Sequence, residues 1–344
     1  MAGRIARLAL VLVVLLVGFT VLAAVVLIAT RPAPRDAVGW SLGAPLPEGR
    51  GEVATGVVDD QLYVIGGLTG APPRAVEDVT VYDPGHDRWI AGPVLPGSRH
   101  HTAAAGFDGS IFVSGGAASV TDWTPFSNLW QLVPGEDTWT DLASMPEPRY
   151  GHRMVALEGR LYVVGGQGGS GATLIYEPAS GSWSVGAPMP VVRDHLAVVA
   201  VNDEIWALGG RDGGLTARVD IYDPVSDRWR DGPPLPAATS GAAEAAGGGL
   251  VLISGGEDPQ PGGAGVFDRH WWLDQREPEA DWRPLMAPPL AVHGAEGAMI
   301  GDRFYIAGGA TRAGGLSFMS WSDALQVLDV GSVSDVGMTV RQSE

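Results

Sequence analysis

The sequence predicts an all-β fold of six like units closed into a ring, preceded by one apolar helix, and three regularities carry that expectation. A glycine doublet occurs six times, at Gly66-Gly67, Gly115-Gly116, Gly165-Gly166, Gly209-Gly210, Gly255-Gly256 and Gly308-Gly309. A tryptophan stands 26 residues before each doublet: Trp40, Trp89, Trp139, Trp183, Trp229 and Trp282. A proline follows each tryptophan by seven: Pro47, Pro96, Pro146, Pro190, Pro236 and Pro289. Intervals that hold through six copies mark a repeat architecture, in which each unit buries its apolar face against a neighbour.

Each unit reads as strands. Gln61–Ile65, Ser110–Ser114, Arg160–Val164, Glu204–Leu208, Leu250–Ser254 and Arg303–Ala307 are β-branched or aromatic runs that end at a doublet. A turn pair precedes each run: Asp59-Asp60, Asp108-Gly109, Glu158-Gly159, Asn202-Asp203, Gly248-Gly249 and Gly301-Asp302. These residue types tolerate the positive φ of two-residue hairpins. Past the doublets come Val79–Asp83, Leu129–Val133, Leu174–Glu177, Val219–Asp223, Trp271–Asp274 and Leu325–Asp329, the first and fourth continuing into Tyr-Asp-Pro.

A glycine doublet after an apolar strand, then Tyr-Asp-Pro, then tryptophan, resembles the kelch repeat over about residues 38–330. Val133-Pro134 and Asp274-Gln275 depart from the Tyr-Asp-Pro pattern. The resemblance implies one four-stranded blade per repeat, and hence a six-bladed kelch-type β-propeller. No tryptophan follows Leu325–Asp329 before the end of the chain, and no strand precedes Trp40. The Trp40 segment is therefore expected to complete the sixth blade as its outer strand and remove an exposed sheet edge.

Leu8–Ala29 is almost unbroken apolar sequence. As a helix it rises about 33 Å, enough to cross a hydrocarbon core of about 30 Å. It also exceeds the apolar stretch of a cleaved signal peptide and lacks a good cleavage site. The expected organisation is a short tail at 1–7, a transmembrane signal anchor at 8–30, a linker at 31–38, the propeller at 39–330 and a tail at 331–344. Flanking arginines are nearly balanced, Arg4 and Arg7 against Arg31 and Arg35. A short tail ahead of a large domain favours the extracytoplasmic side of a cell membrane, and the propeller is expected there.

The net charge of −17 excludes a nucleic-acid partner, whose phosphates need a basic footprint. The absence of cysteine excludes disulfides and the Cys-linked tyrosine of a copper oxidase built on kelch repeats. No phosphate-binding loop, dinucleotide fingerprint or nucleophile elbow occurs, and no cofactor is expected.

Candidate binding residues come from phase. In a meander, the loop entering the first strand and the loop after the doublet lie on the same side. Ten residues after each tryptophan stand Arg50, Arg99, Arg149, Arg193, Thr239 and Val292. His100, His101, His152, His195 and His293 follow closely, joined by Glu52, Arg153, Glu244 and Glu296. The expected ligand set is Arg50, Arg99, His101, Arg149, His152, Arg193, His195, Glu244, His293 and Glu296, lining an Arg/His-rich central mouth.

Guanidinium forks suit a carboxylate, sulfate or phosphate. The partner is accordingly read as an unknown protein, an anionic small molecule or a carbohydrate. A structural reading stands beside it, since kelch repeats commonly begin their first strand with arginine and a nearby histidine. The histidines show no pair at zinc-like spacing, so no metal site is expected.

The loops after the doublets vary in length and hold Arg74, Trp123, Arg211, Glu257 and Arg312. Trp123 and Trp321 are the tryptophans freest for a ligand, whereas the six in-phase tryptophans read as blade-to-blade packing. A binding module is one functional expectation. The other is a sugar or sugar-acid mutarotase or epimerase, because the chain looks like bacterial six-bladed kelch propellers such as the sialic acid mutarotases. In that reading Glu244, Glu296 or His195 supplies the acid or base.

Overall fold

The hydrogen-bonding needs of short β-branched and aromatic strands are met in six antiparallel four-stranded sheets. A computed structural model describes residues 32–258, 265–277 and 280–331. The expected membrane helix at 8–30 and the tail from 332 lie outside the described residues. Among those described, no helix is long and apolar enough to cross a membrane.

From inner to outer strand, blade 1 comprises Ala54–Val58, Gln61–Ile65, Val79–Asp83 and Arg88–Ala91. Blade 2 comprises Ala103–Phe107, Ser110–Ser114, Leu129–Leu132 and Thr140–Asp141. Blade 3 is Tyr150–Leu157, Arg160–Gln167, Ala172–Glu177 and Ser182–Pro188. Blade 4 is Ala197–Val201, Glu204–Leu208, Val219–Asp223 and Arg228–Asp231. Blade 5 is Ala243–Gly247, Leu250–Ser254, His270–Asp274 and Arg283–Pro284.

Blade 6 takes three strands from the C-terminal end, Gly297–Ile300, Arg303–Ala307 and Leu325–Asp329, and its outer strand, Trp40–Gly43, from the N-terminal end. Trp40 pairs with Leu328 and Gly43 with Leu325, as the orphan tryptophan segment predicts.

The in-phase tryptophans join blades. Each indole N–H donates to the carbonyl four residues beyond the equivalent tryptophan of the preceding blade. The bonds run Trp40 to Met286 (2.9 Å), Trp89 to Ala44 (2.7 Å), Trp139 to Pro93 (2.9 Å), Trp183 to Ala143 (2.7 Å), Trp229 to Ala187 (3.1 Å) and Trp282 to Pro233 (2.9 Å). A tryptophan thus supplies apolar area to the packing and a hydrogen-bond donor to a carbonyl of the preceding blade.

The doublets join blades nearer the axis. The second glycine of each donates to the next blade: Gly67 to Arg99, Gly116 to Arg149 and Gly166 to Arg193 at 2.8 Å, Gly210 to Thr239 at 2.8 Å, Gly256 to Val292 at 3.0 Å and Gly309 to Arg50 at 2.7 Å. Both residues of each doublet have positive φ, and a Cβ on Gly66 would lie 2.4 Å from the Arg99 carbonyl oxygen. Backbone conformation and close approach together require glycine here.

Glycine substitutions separate these two requirements. Gly66→Ala meets both the left-handed backbone and the Arg99 carbonyl, whereas Gly109 has positive φ but open space around its missing Cβ. Urea unfolding is expected to show a loss of about 1 kcal/mol for Gly109→Ala and at least about 3 kcal/mol for Gly66→Ala. Equal losses would show that the inter-blade approach adds nothing.

Candidate functional site

The inner strands begin on a closed circle of six backbone hydrogen bonds. Glu52 donates to Gly294 (2.6 Å), His101 to Glu52 (3.2 Å), Gly151 to His101 (2.8 Å), His195 to Gly151 (3.0 Å), Gly241 to His195 (2.7 Å) and Gly294 to Gly241 (2.9 Å). Each blade contributes one residue, always two positions after the Arg50 phase, and each has φ between 49° and 63°. Three of the six are glycine. The others, Glu52, His101 and His195, hold a left-handed backbone that costs an L-residue about 1–2 kcal/mol. Outliers of this kind cluster at functional sites.

Those three side chains converge, with their ligand atoms all within 4.8 Å of one another. His101 Nε2 lies 3.1 Å from Glu52 Oε2, and the His101 and His195 rings are 4.8 Å apart. Together with His293 they line a pocket of ≈ 370 Å³ walled by Trp123, Arg211, Glu257, Phe318 and Trp321. The loops after the doublets supply that wall, as the meander argument predicts.

Trp123 packs on His100 and His101, its ring 4.9 Å from each, and remains 40% exposed. Arg211 Nε donates to Asp194 at 2.8 Å, and Arg211 Nη1 is 3.5 Å from Glu257. The Gly314–Met319 turn of blade 6 overhangs the pocket, and the Gly314 N–H donates to Glu257 at 2.9 Å.

The four arginines of the expected mouth are placed differently. Arg50, Arg149 and Arg193 turn into their own blades and donate to the first-glycine carbonyls Gly66 (3.4 Å), Gly165 (3.0 Å) and Gly209 (2.7 Å). They also reach the third strand, through Thr80, Ala172 and Asp220 respectively. Arg99 stacks on Phe126 at 3.8 Å and donates to the Ser98 carbonyl at 2.8 Å. All four are buried, and none lines the pocket. Their guanidinium groups tie the doublet turn to the third strand or pack on its aromatic residues. His152 is likewise enclosed, with Nε2 2.9 Å from Ser114 Oγ, in the seam between blades 2 and 3.

Glu244 and Glu296 lie further along the axis, in a second cavity of ≈ 280 Å³ that shares no lining residue with the mouth pocket. Arg153 bridges them: Nε donates to Glu244 at 2.8 Å, and Nη1 stands 2.9 Å from Glu296, an ion-pair contact without hydrogen-bond alignment. The Thr55 N–H donates to the other Glu296 oxygen at 2.7 Å. One guanidinium faces two carboxylates in a buried channel. Sequence spacing put these three with the histidines, and the strand pitch separates them.

Burial drives the electrostatics on both sides of the circle. Burial and the neighbouring Glu244 outweigh Arg153 and push the Glu296 carboxyl up to about 8, and burial also raises Glu244. Burial holds His101 well below its ordinary value and lowers His100 too. Burial opposes ionisation of Glu52, but the positive groups around it prevail and bring it down to about 2. His101, His195, His293 and Arg211 are the groups that together favour the Glu52 carboxylate.

A carboxyl raised in the folded state stabilises the fold fully below its ordinary value of 4.5, and that contribution disappears as pH rises through about 8. Glu296→Gln removes the titration. Between pH 6 and 9 the wild-type melting temperature is expected to fall, and that of Glu296→Gln to fall distinctly less. In free energy the slope difference is at most about 1.4 kcal/mol per pH unit. Parallel profiles would rule out a protonated Glu296 near neutral pH.

Comparison with known proteins agrees with this architecture. The family model for the kelch motif matches residues 49–93, 98–146, 148–190 and 193–236. Kelch-like protein 34 of Homo sapiens is 33% identical over 175 residues, which are 50% of this chain and 27% of that protein. The Kelch-like protein terF of Aspergillus terreus is 27% identical over 286 residues, 77% of this chain and 62% of that one. This chain thus spans about a quarter of the first relative and under two thirds of the second. The solved structure titled "Structure of YjhT" superimposes with a TM-score of 0.65 at 17% identity, covering 83% of this chain and 98% of that chain, a likeness of fold alone. With motif matches across more than half its length and six blades built on one pattern, the chain belongs to the kelch-motif family.

Proposed function

We propose that this chain is a kelch propeller tethered to a cell membrane by residues 8–30, carried on the extracytoplasmic side, and that it binds a partner protein at the mouth pocket. The observation that carries the reading is the pocket itself: a ≈ 370 Å³ recess built from loops of unequal length on a rigid frame, with exposed Trp123 against its wall. Variable loops on a fixed scaffold are where recognition concentrates, and a partly exposed tryptophan is a preferred anchor at protein interfaces. Leu316, 46% exposed on the overhanging turn, adds apolar surface nearby. The pocket is sized for one or two side chains of a partner segment.

Two features define the chemistry of that partner. Arg211, the arginine in the pocket wall, already faces Asp194 and Glu257, so a free anion meets a guanidinium with carboxylates on it. Glu244 and Glu296, the carboxyls suited to acid–base work, sit with Arg153 in the other cavity, away from the histidines. Both features favour a protein-binding module over a small-anion receptor or a sugar-converting enzyme.

Cross-linking in native membranes provides the test. A partner captured by the wild type should be lost with Trp123→Ala, with affinity reduced about 30-fold or more, equivalent to about 2 kcal/mol. Capture that survives both Trp123→Ala and Leu316→Ser would place the interface elsewhere. The tether is tested separately: the full chain should remain in the pellet after an alkaline wash of membranes, and a chain lacking residues 1–31 should not.

A further inference from the structure

The three non-glycine members of the axial circle present a donor arrangement that sequence spacing conceals. His100 Nε2 lies 3.2 Å from the Ser119 carbonyl oxygen, which can only accept, so that nitrogen carries the proton. In the neutral ring, His100 Nδ1 is then a bare lone pair. It stands 2.6 Å from His101 Nδ1, and that contact needs one proton, which His101 supplies. His101 Nε2 is left bare, and it faces the Glu52 carboxylate at 3.1 Å. At that separation the imidazole nitrogen and the carboxylate oxygen are placed to share one cation, a proton or a metal ion.

The same logic runs through the neighbours. His195 Nδ1 stands 2.5 Å from Asp194 Oδ1, which fixes a proton on that nitrogen. Arg211 Nη2 lies over the face of the His195 ring, 3.0 Å from Nε2 and 3.1 Å from Nδ1. His293 donates from Nε2 to the Arg312 carbonyl at 2.9 Å. Its Nδ1 is buried without a hydrogen-bond partner among the described residues, 3.7 Å from Glu52 and 3.4 Å from Glu257. His293 is only 2% exposed, so this unpartnered atom is aimed into the cluster from a wholly enclosed ring.

We infer that Glu52, His101 and His195 form a site for a divalent transition-metal ion of the zinc type at the floor of the mouth pocket. Two imidazole nitrogens and one carboxylate oxygen make a three-point donor set with room for a further ligand. Each imidazole is oriented by a group behind it, His101 by the His100–Ser119 relay and His195 by Asp194, as metal-binding histidines usually are. His293 Nδ1 faces the second Glu52 oxygen, where it can hold a metal-bound water. The carboxylates of Glu52, Asp194 and Glu257 surround the position with negative charge, and Arg211 remains on Asp194 and Glu257 when the ion replaces it at His195. The site exists whether or not a partner protein docks above it.

The test uses the purified full chain in detergent, stripped with a chelator and titrated with cobalt(II) chloride, then competed with zinc chloride. One equivalent of cobalt with visible d–d absorption is expected, together with a rise in the wild-type melting temperature on adding zinc. His101→Asn and His195→Asn, which keep a residue tolerant of positive φ, should each weaken cobalt binding about 50-fold or more. His100→Asn, which removes the relay, should weaken it about 10–100-fold. Should the variants fold poorly, imidazole nitrogen resonances of the wild type decide alone: zinc must shift His101 Nε2 and His195 Nε2. Absence of stoichiometric cobalt, unaltered affinity in both ring variants, or a His101 Nε2 that keeps a proton on Glu52 in the presence of zinc would each overturn the site.

Discussion

The circle of six N–H···O=C bonds at the axis is the constraint on which the molecule turns. Each blade enters its inner strand through a residue with left-handed backbone, donating to one neighbour and accepting from the other, so no blade can shift without breaking two bonds. The doublet glycines repeat this linkage one layer outward, and the tryptophan indoles repeat it at the rim. Three concentric sets of inter-blade hydrogen bonds, each six-fold, hold neighbouring sheets at a fixed pitch. Near-neighbour coupling of this kind gives repeat proteins their rigidity, and ring closure removes the weak ends of an open array.

The chemistry of the mouth follows from the circle. A left-handed residue directs its side chain differently from the strand that follows it, and six such residues in a ring aim at a common point. Where three are glycine, the ring leaves space; where three are Glu52, His101 and His195, it fills that space with donors. The conformational cost of three non-glycine residues in this region is borne by the surrounding bonds. The loops after the doublets then need only wall the recess, and their lengths can vary without loosening it.

Charge is divided between two compartments. On one side of the circle the Glu52 carboxylate sits among imidazoles; on the other, Arg153 serves two carboxylates, and burial drives one of them toward the protonated form. The inner-strand arginines belong to neither. The planar forks of Arg50, Arg149 and Arg193 reach the carbonyls left by the doublet turn, a role that suits guanidinium because one group can bond two strands, while Arg99 stacks on Phe126. This gives four buried arginines at one repeat phase a structural role within their own blades.

Much of this was legible in residue order alone. The constant interval from tryptophan to doublet, the turn pairs and the orphan Trp40 segment determined blade number, strand order and closure, because those properties depend on local backbone preferences repeated in register. The side of the disc that carries the pocket was legible too, from the alternation of a meander. Even the left-handed circle left a trace, since Gly151, Gly241 and Gly294 share the phase of Glu52, His101 and His195. What the order of residues did not determine was direction and distance. Arg50, Arg99, Arg149 and Arg193 share the phase of the mouth but point into the blades. Glu244 and Glu296 fall only a few residues beyond it, yet lie in another cavity. Glu52, His101 and His195, separated by 49 and 94 positions, meet within 4.8 Å. Side-chain direction and convergence across blades depend on the pitch of the closed ring, and only the tertiary structure sets that pitch.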